Sequence, residues 1–166
     1  MVAVIQRVRQ ASVQVGDTHV AKIGRGLLVL LGVSKDDSDR DEAFLVDKIL
    51  HIRIFSDKAG KMNCSLQDID GELLLVSQFT LLAKMRKGRR PSFESAAAPD
   101  EAQARYHHML DVLKQRNVRV QEGIFGAQML VSLENDGPVT LILDSRENKS
   151  EKFKELSIHS DKGKTN

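Results

Sequence analysis

Five consecutive apolar residues, Leu27-Leu28-Val29-Leu30-Leu31, stand between Gly26 and Gly32. Successive side chains of a strand point to opposite faces, so this segment is apolar on both sides and has to be covered on both. At this length it cannot cross a bilayer, and neither can the other long apolar run, Leu73–Val76. Leu27–Val33 therefore reads as the central strand of a sheet with material packed against each face.

The flanking segments supply that cover. Val2–Val8 and Ser12-Val13-Gln14-Val15 alternate with the two-residue period of half-buried strands. Gly16-Asp17 offers a turn before a short strand at His19–Ile23, and Gly24-Arg25-Gly26 offers a second turn. Ser34–Asp41 is polar and acidic, which suits a helix start; Ala43, Phe44, Leu45, Val46, Ile49 and Leu50 follow with roughly helical spacing. Ile52–Phe55 predicts a strand closing that unit, Asp57–Gly60 a turn, and Glu72–Leu82 a strong strand. Pro99, with Asp100 and Glu101 behind it, opens a second helix whose apolar stripe is Ala102, Tyr106, Met109, Leu110 and Leu113. Val118–Gln121, Ala127–Leu133 and Val139–Asp144 read as the last strands, with Asn135-Asp136-Gly137-Pro138 between the final two. This order predicts an α/β domain over residues 1–146, with a layered, mixed, partly antiparallel β-sheet and two main helices. Residues 147–166 hold five Lys against three Glu and one Asp, and read as a polar, Lys-rich C-terminal tail.

Charge and composition narrow the function. A net charge of +2 on 166 residues is no global basic field, so any nucleic-acid contact has to come from a local patch. Aromatics make up 4%, with no Trp and one Tyr, too few for an extended base-stacking surface. The lone Cys64 leaves no internal disulfide and no thiolate-based zinc site, and fits a reducing compartment. Met1–Arg7 lacks the apolar stretch of a signal peptide, so a cytoplasmic location is expected, with no membrane and no DNA partner.

Few residues offer conventional catalysis. His19, His51, His107, His108 and His159 stand at no metal-ligand spacing, and the adjacent His107 and His108 would point about 100° apart on a helix. No nucleophile-elbow or phosphate-loop pattern is present, and neither metal nor cofactor is expected. Two segments stand out. Ser77-Gln78-Phe79-Thr80 puts three polar side chains into a Leu-rich strand, where buried polar groups have to be paired. The plainer reading is a strand emerging at a sheet edge, with Thr an ordinary strand former. Asn135-Asp136-Gly137-Pro138-Val139-Thr140 reads either as a tight turn or as a rigid backbone element shown to a ligand.

Together these two segments resemble the signature motifs of the D-aminoacyl-tRNA deacylase family. Gln6-Arg7-Val8 with Ala11-Ser12-Val13, Gly26–Gly32, and Phe125-Gly126-Ala127 followed by Met129 resemble further family stretches, in order, up to about Leu143. The resemblance implies a homodimer with its active site at the interface, acting on the aminoacylated end of tRNA. It implies hydrolysis of the ester in D-aminoacyl-tRNA, and in glycyl-tRNA mischarged on tRNA(Ala), with L-aminoacyl-tRNA rejected. In such enzymes a cis Gly-Pro peptide, here Gly137-Pro138, is inserted into the partner's pocket and its carbonyls read chirality. Arg7 matches the residue that holds this motif. Ser77 and Gln78 belong to the pocket wall, Phe79 and Thr80 supply catalytic groups, and Phe125 and Met129 line the adenosine side. Two mechanisms stay open: Thr80 as nucleophile, or the tRNA 2′-hydroxyl assisting water while the backbone at Phe79 or Thr80 holds the oxyanion.

Lys84, Arg86, Lys87, Arg89 and Arg90 put five cations within seven residues, just after the pocket strand. They are candidates to grip acceptor-stem phosphates, against the plainer reading of a solvated loop. The rival functions are an editing module with another amino-acid preference, a tRNA-binding protein without catalysis, and a structural dimer in which Gly137-Pro138 only packs the interface.

Overall fold

The computed structural model describes residues 1–85 and 88–147. The expected tail, beyond Glu147, lies outside the described residues, as do Arg86 and Lys87. The strands are β1 (Val2–Val15), β2 (Thr18–Ile23), β3 (Gly26–Gly32), β4 (Phe55–Ser56), β5 (Met62–Cys64), β6 (Glu72–Ser77), β7 (Arg119–Glu122) and β8 (Leu130–Asp144). The helices are α1 (Asp39–His51) and α2 (Pro99–Gln115), and Phe79–Leu82 forms a 3-10 turn.

β3 is the centre that its sequence demands. It runs antiparallel to the first half of β1, Val2 opposite Gly32 through Val8 opposite Gly26. On its other side it runs parallel to β6, which is parallel in turn to β7. The close approach to β6 needs Gly26, where a Cβ would lie 1.8 Å from the Glu72 carbonyl oxygen. The odd residues Leu27, Val29 and Leu31 face a core shared with Leu45 and Ile49 of α1 and Tyr106, Met109 and Leu113 of α2. Leu28 faces the other way, into a second core with Val8, Ala11, Val13, Ala21, Ile23, Leu74 and Val76. No described helix contributes to that core. The far half of β1 and the hairpin strand β2 curl over it instead, with β2 lying across β6 and β7.

One strand can serve both cores because its phase reverses. Ala3 and Ile5 of β1 face the helices, yet Ala11 and Val13, also odd, face the second core. Between them the ladder to β8 is irregular, with Gln6 opposite Thr140, Val8 opposite Asn135 and Gln10 opposite Glu134. One extra β1 residue, Arg9, enters between the last two pairs, and such a bulge swaps inner and outer faces.

The helix starts follow their local signals. The Asp41 carboxylate accepts from the Ser38 N–H at 2.9 Å and the Ser38 hydroxyl at 2.6 Å, while Pro99 opens α2. Several boundaries differ from the sequence reading. The two strands expected over Val2–Val15 are one. Ile52–Ile54 is not strand, because the Ile52 N–H closes α1 on the Lys48 carbonyl and Arg7 takes the Ile54 carbonyl. β7 sits one residue later than Val118–Gln121, and β8 begins at Leu130 rather than Ala127. β6 stops at Ser77 rather than running to Leu82. The Gln78 N–H still reaches the Leu31 carbonyl at 2.7 Å, but β3 ends at Gly32, and the chain turns to bury Leu82. Asn135–Pro138 is not a hairpin turn between two strands, since β8 pairs with β1 on both sides of it.

The second core rests on few residues, and Leu28 is buried at its centre. Leu28→Ala is expected to lower unfolding stability by about 3 kcal/mol in urea titrations, the usual effect of removing a buried leucine.

Candidate active site

The three parallel strands β3, β6 and β7 all deliver their carboxyl ends to one place, where ligands of open α/β sheets are commonly held. A cavity of about 470 Å³ lies there. Ser77, Gln78 and Phe79 form one wall, and Phe125, Gly126, Ala127 and Met129 of the β7–β8 connection form another. Ala96 and Ala97 close a third side. Their segment is strapped to the end of β3 by the Ala97 N–H on the Val33 carbonyl at 3.0 Å and the Ser34 hydroxyl on the Ser95 carbonyl at 2.9 Å.

Tyr106 forms the floor. It is 1% exposed, its hydroxyl donates to the Leu75 carbonyl at 2.8 Å, and its ring packs on Phe125 with centroids 5.9 Å apart. Burial first, and the Glu122 charge second, push the phenol above its ordinary value, so it stays a neutral donor. The sequence placed Tyr106 only on an apolar helix stripe. The strap at Ala96–Ala97 carried no signal at all, because alanines mark a cavity wall only once the chain is folded.

Among the described residues that line the cavity there is no carboxylate, imidazole or thiol. His108 turns instead to Glu42 of α1, Nδ1 to carboxylate at 2.6 Å. No cluster of three His, Cys, Asp or Glu side chains among the described residues is placed to hold a metal ion. The polar functions of the wall come from the end of β6. Thr80 is exposed and is not part of the lining, and its hydroxyl accepts a hydrogen bond from the Gln78 side-chain amide. The turn bonds begin with the Leu81 N–H on the Gln78 carbonyl. The N–H groups of Phe79 and Thr80, which open the turn, meet no acceptor among the described residues.

Gly137 and Pro138 lie elsewhere. Between the pairs Gln6–Thr140 and Val8–Asn135, β1 contributes one residue, Arg7, and β8 contributes four, Asp136–Val139. The surplus protrudes. The Asn135 side chain closes its base, accepting from the Val139 N–H at 2.7 Å and donating to the Val139 carbonyl at 3.1 Å. Arg7 is largely buried behind it, with Nε donating to the Asp136 carbonyl at 2.8 Å and Nη1 to the Ile54 carbonyl. The Gly137–Pro138 peptide is cis. Gly137 has φ +148°, and a Cβ there would meet Val139 at 2.7 Å and the Arg7 guanidinium at 3.1 Å, so no other residue fits. Both Gly137 and Pro138 are exposed, and neither lines the cavity of its own chain. The sequence motifs thus fall into two groups. Ser77, Gln78, Phe79, Phe125 and Met129 meet around the cavity, whereas Arg7, Gly137 and Pro138 meet at a protrusion.

Lys84 and Ser92 pair as a short antiparallel bridge, 2.8 and 3.0 Å, and Lys84, Arg89 and Arg90 are exposed. No described helix is long and apolar enough to cross a membrane.

The cavity stands at the ends of parallel strands and is walled by apolar side chains with Ser77 and Gln78, and among the described residues its lining holds no acid or base. A family model described as D-Tyr-tRNA(Tyr) deacylase matches residues 4–144. The D-aminoacyl-tRNA deacylase of Thermosipho africanus (strain TCF52B) is 57% identical over 146 residues, covering 88% of this chain and 98% of that protein. A solved structure described as c-Myc DNA unwinding element binding protein superposes with a TM-score of 0.81 at 42% identity, over 87% of this chain and 98% of that one. Another, described as a probable eukaryotic D-amino acid tRNA deacylase, gives a TM-score of 0.72 at 23% identity over 86% of this chain and 98% of that one, a likeness of fold. The chain belongs to the D-Tyr-tRNA(Tyr) deacylase family.

The Tyr106 phenol gives a pH test of the floor. An unfolded tyrosine ionises near its ordinary value of 10.0 and the folded one later, so the unfolded state loses its proton first. The contribution is complete below about pH 10 and is lost as pH rises toward the folded value. Urea unfolding between about pH 9 and pH 11 is expected to show falling stability, with a shallower fall in Tyr106→Phe.

Proposed function

We propose that the chain hydrolyses the ester of D-aminoacyl-tRNA in the cavity between Ser77–Phe79 and Phe125–Met129, and that Gly137-Pro138 of a second copy closes that cavity. Membership of the family carries the deacylase activity and its tRNA substrate. The protrusion supports the rest: Gly137 and Pro138 stand exposed on a firm base, away from a cavity in their own chain that lacks them. Among the described residues their strand β8 pairs only with β1, and it carries exposed Leu130 and Ile142, 64% and 71% accessible. An apolar sheet edge left open is a surface that proteins normally cover.

In this reading the terminal adenosine packs against Phe125 and Met129, and the ester lies by the opening of the turn. Water adds to the ester carbonyl, assisted by the neighbouring tRNA 2′-hydroxyl. The N–H groups of Phe79 and Thr80 receive the developing oxyanion, each such donor giving about 10²–10³ in rate. The C–O bond to the ribose then breaks, its oxygen takes a proton, and the amino acid leaves as the free acid. The hydrogen bond from Gln78 to Thr80 favours this route over Thr80 as nucleophile, because a side-chain amide cannot take the hydroxyl proton. The partner's Gly137-Pro138 carbonyls would accept the substrate ammonium and leave no space for an L side chain. Glycine has none to exclude, so glycyl-tRNA mischarged on tRNA(Ala) falls in the substrate range. Residues 1–146 act as the catalytic domain, and the reducing cytoplasm, where charged tRNA is used, is the setting.

Purified protein offered D-tyrosyl-, L-tyrosyl- and glycyl-tRNA should clear the D and glycyl esters and spare the L ester. Equal loss of D and L esters would keep the hydrolase and remove the wedge. Lys84, Arg89 and Arg90, with Arg86 and Lys87 outside the described residues, serve as phosphate contacts. Reversing Arg89 and Arg90 together to Glu should weaken tRNA binding and flatten the slope of log affinity against log salt by about 2. An unchanged slope would return these cations to solvent.

A further inference from the structure

Only seven aromatic side chains exist in the chain, six Phe and one Tyr. Phe55 is buried in the main core and Phe44 packs against it. Tyr106 and Phe125 line the cavity. Phe79 differs from all of these: it lines the cavity and is still 57% exposed. Its ring therefore stands at the rim, one side to the cavity and one to solvent. A lone exposed Phe needs no explanation, but this ring is supported. Phe93 meets it edge to face, centroids 4.8 Å apart and planes at 66°. Both supports are fixed by backbone. Gln78, before Phe79, is bonded to Leu31 of β3; Phe93 follows Ser92, which is paired to Lys84, and its carbonyl accepts from the Ala96 N–H at 2.9 Å.

Just after the 3-10 turn that starts at Phe79 comes Lys84, bridged to Ser92, the residue before Phe93, and Lys84, Arg89 and Arg90 are exposed. An aromatic face at the cavity rim and a set of exposed cations thus lie within a few residues of one another in the chain. That pairing, a stacking ring beside phosphate-binding charge, is the chemistry that holds single-stranded nucleic acid. Two rings are too few for an extended strand, but one base needs one face.

We propose that the solvent-side face of Phe79, held at its angle by Phe93, is a shelf on which the base of the nucleotide next to the terminal adenosine stacks, while Lys84, Arg89 and Arg90 take the adjoining phosphates. The proposal rests on the reading that the cavity holds the aminoacyl-adenosine. Every base has a π-face, so the shelf accepts any base identity. Phe93 is a positioning residue, since the base meets Phe79 and not Phe93. The other candidate for covering Phe79, a second copy of this chain, makes the opposite prediction about the base.

Three D-tyrosyl esters separate these contributions: D-tyrosyl-adenosine, a D-tyrosyl dinucleotide with cytosine before the adenosine, and the same dinucleotide with that position abasic. With wild-type protein, the dinucleotide with a base should exceed the abasic one in kcat/KM by about tenfold, the equivalent of one stacked base at about 1.4 kcal/mol. Phe93→Leu should bring that ratio close to one while leaving D-tyrosyl-adenosine hydrolysis unchanged, and Phe93→Tyr, which keeps the ring, should restore the ratio. Being a ratio within one preparation, the readout does not move with the fraction folded. Equal rates for the base and abasic dinucleotides in wild type would overturn the shelf and leave the deacylase reading standing, as would an undiminished ratio in Phe93→Leu. Failure to cleave even full-length D-tyrosyl-tRNA would remove the deacylase reading, and the shelf with it.

Discussion

A mismatch in one ladder organises this molecule. Where β1 and β8 run past each other, Arg7 faces four residues of β8, and two residues later Arg9 has no partner opposite. The second irregularity reverses the phase of β1, so one strand can wall the helix-side core with Ile5 and the second core with Val13. The first forces Asp136–Val139 outward and leaves a gap behind them, which the Arg7 side chain fills. A guanidinium buried there needs acceptors, and it finds them in the carbonyls of Asp136 and Ile54. Core, protrusion and the link to β4 thus depend on one stretch of irregular pairing.

The consequence is a site divided in space. The cavity is assembled from the ends of three parallel strands and the start of α2, and it is uncharged along its lining. The protrusion is assembled from β1 and β8, on an open sheet edge. Within one chain the two halves do not meet, which is why a second copy enters the functional reading. A neutral cavity suits an aminoacyl ester, which is already activated: donors and fixed geometry suffice where an amide would need a strong nucleophile. The neutral Tyr106 floor belongs to the same design, since its hydroxyl satisfies a β6 carbonyl beside the wall without bringing charge.

The rim is of a different kind. At Phe79 and the Lys84–Ser92 bridge the surface becomes aromatic and cationic within a few residues. A weakly basic chain with few aromatics is not a general nucleic-acid binder. What it can do is bring both features close together in one stretch of chain, as the proposed shelf at Phe79 requires.

Much of this was legible in the residues. The two-faced apolar run Leu27–Leu31 required layers on both sides of β3, the polar, acidic run Ser34–Asp41 and Pro99 marked the helix starts, and the two motifs around Gln78 and Gly137 pointed to the family. These are local signals: period, caps and residue types at short range. The errors share one cause, which is partnership at long range. β6 ends at Ser77 because β3 ends at Gly32. Ile52–Ile54 fails to form a strand because Arg7 takes a carbonyl 47 residues away. Asn135–Pro138 looks like a turn and is a protrusion, because its support comes from Arg7, 129 residues away from Asp136 in the chain. Tyr106, Ala96 and Phe93 carry no local mark of a site. The sequence by itself determined which segments had to be buried and where helices could begin, since burial and capping act over one turn or one pleat. Only the tertiary structure decided which polar groups satisfied one another, because a hydrogen bond depends on distance in space and not along the chain.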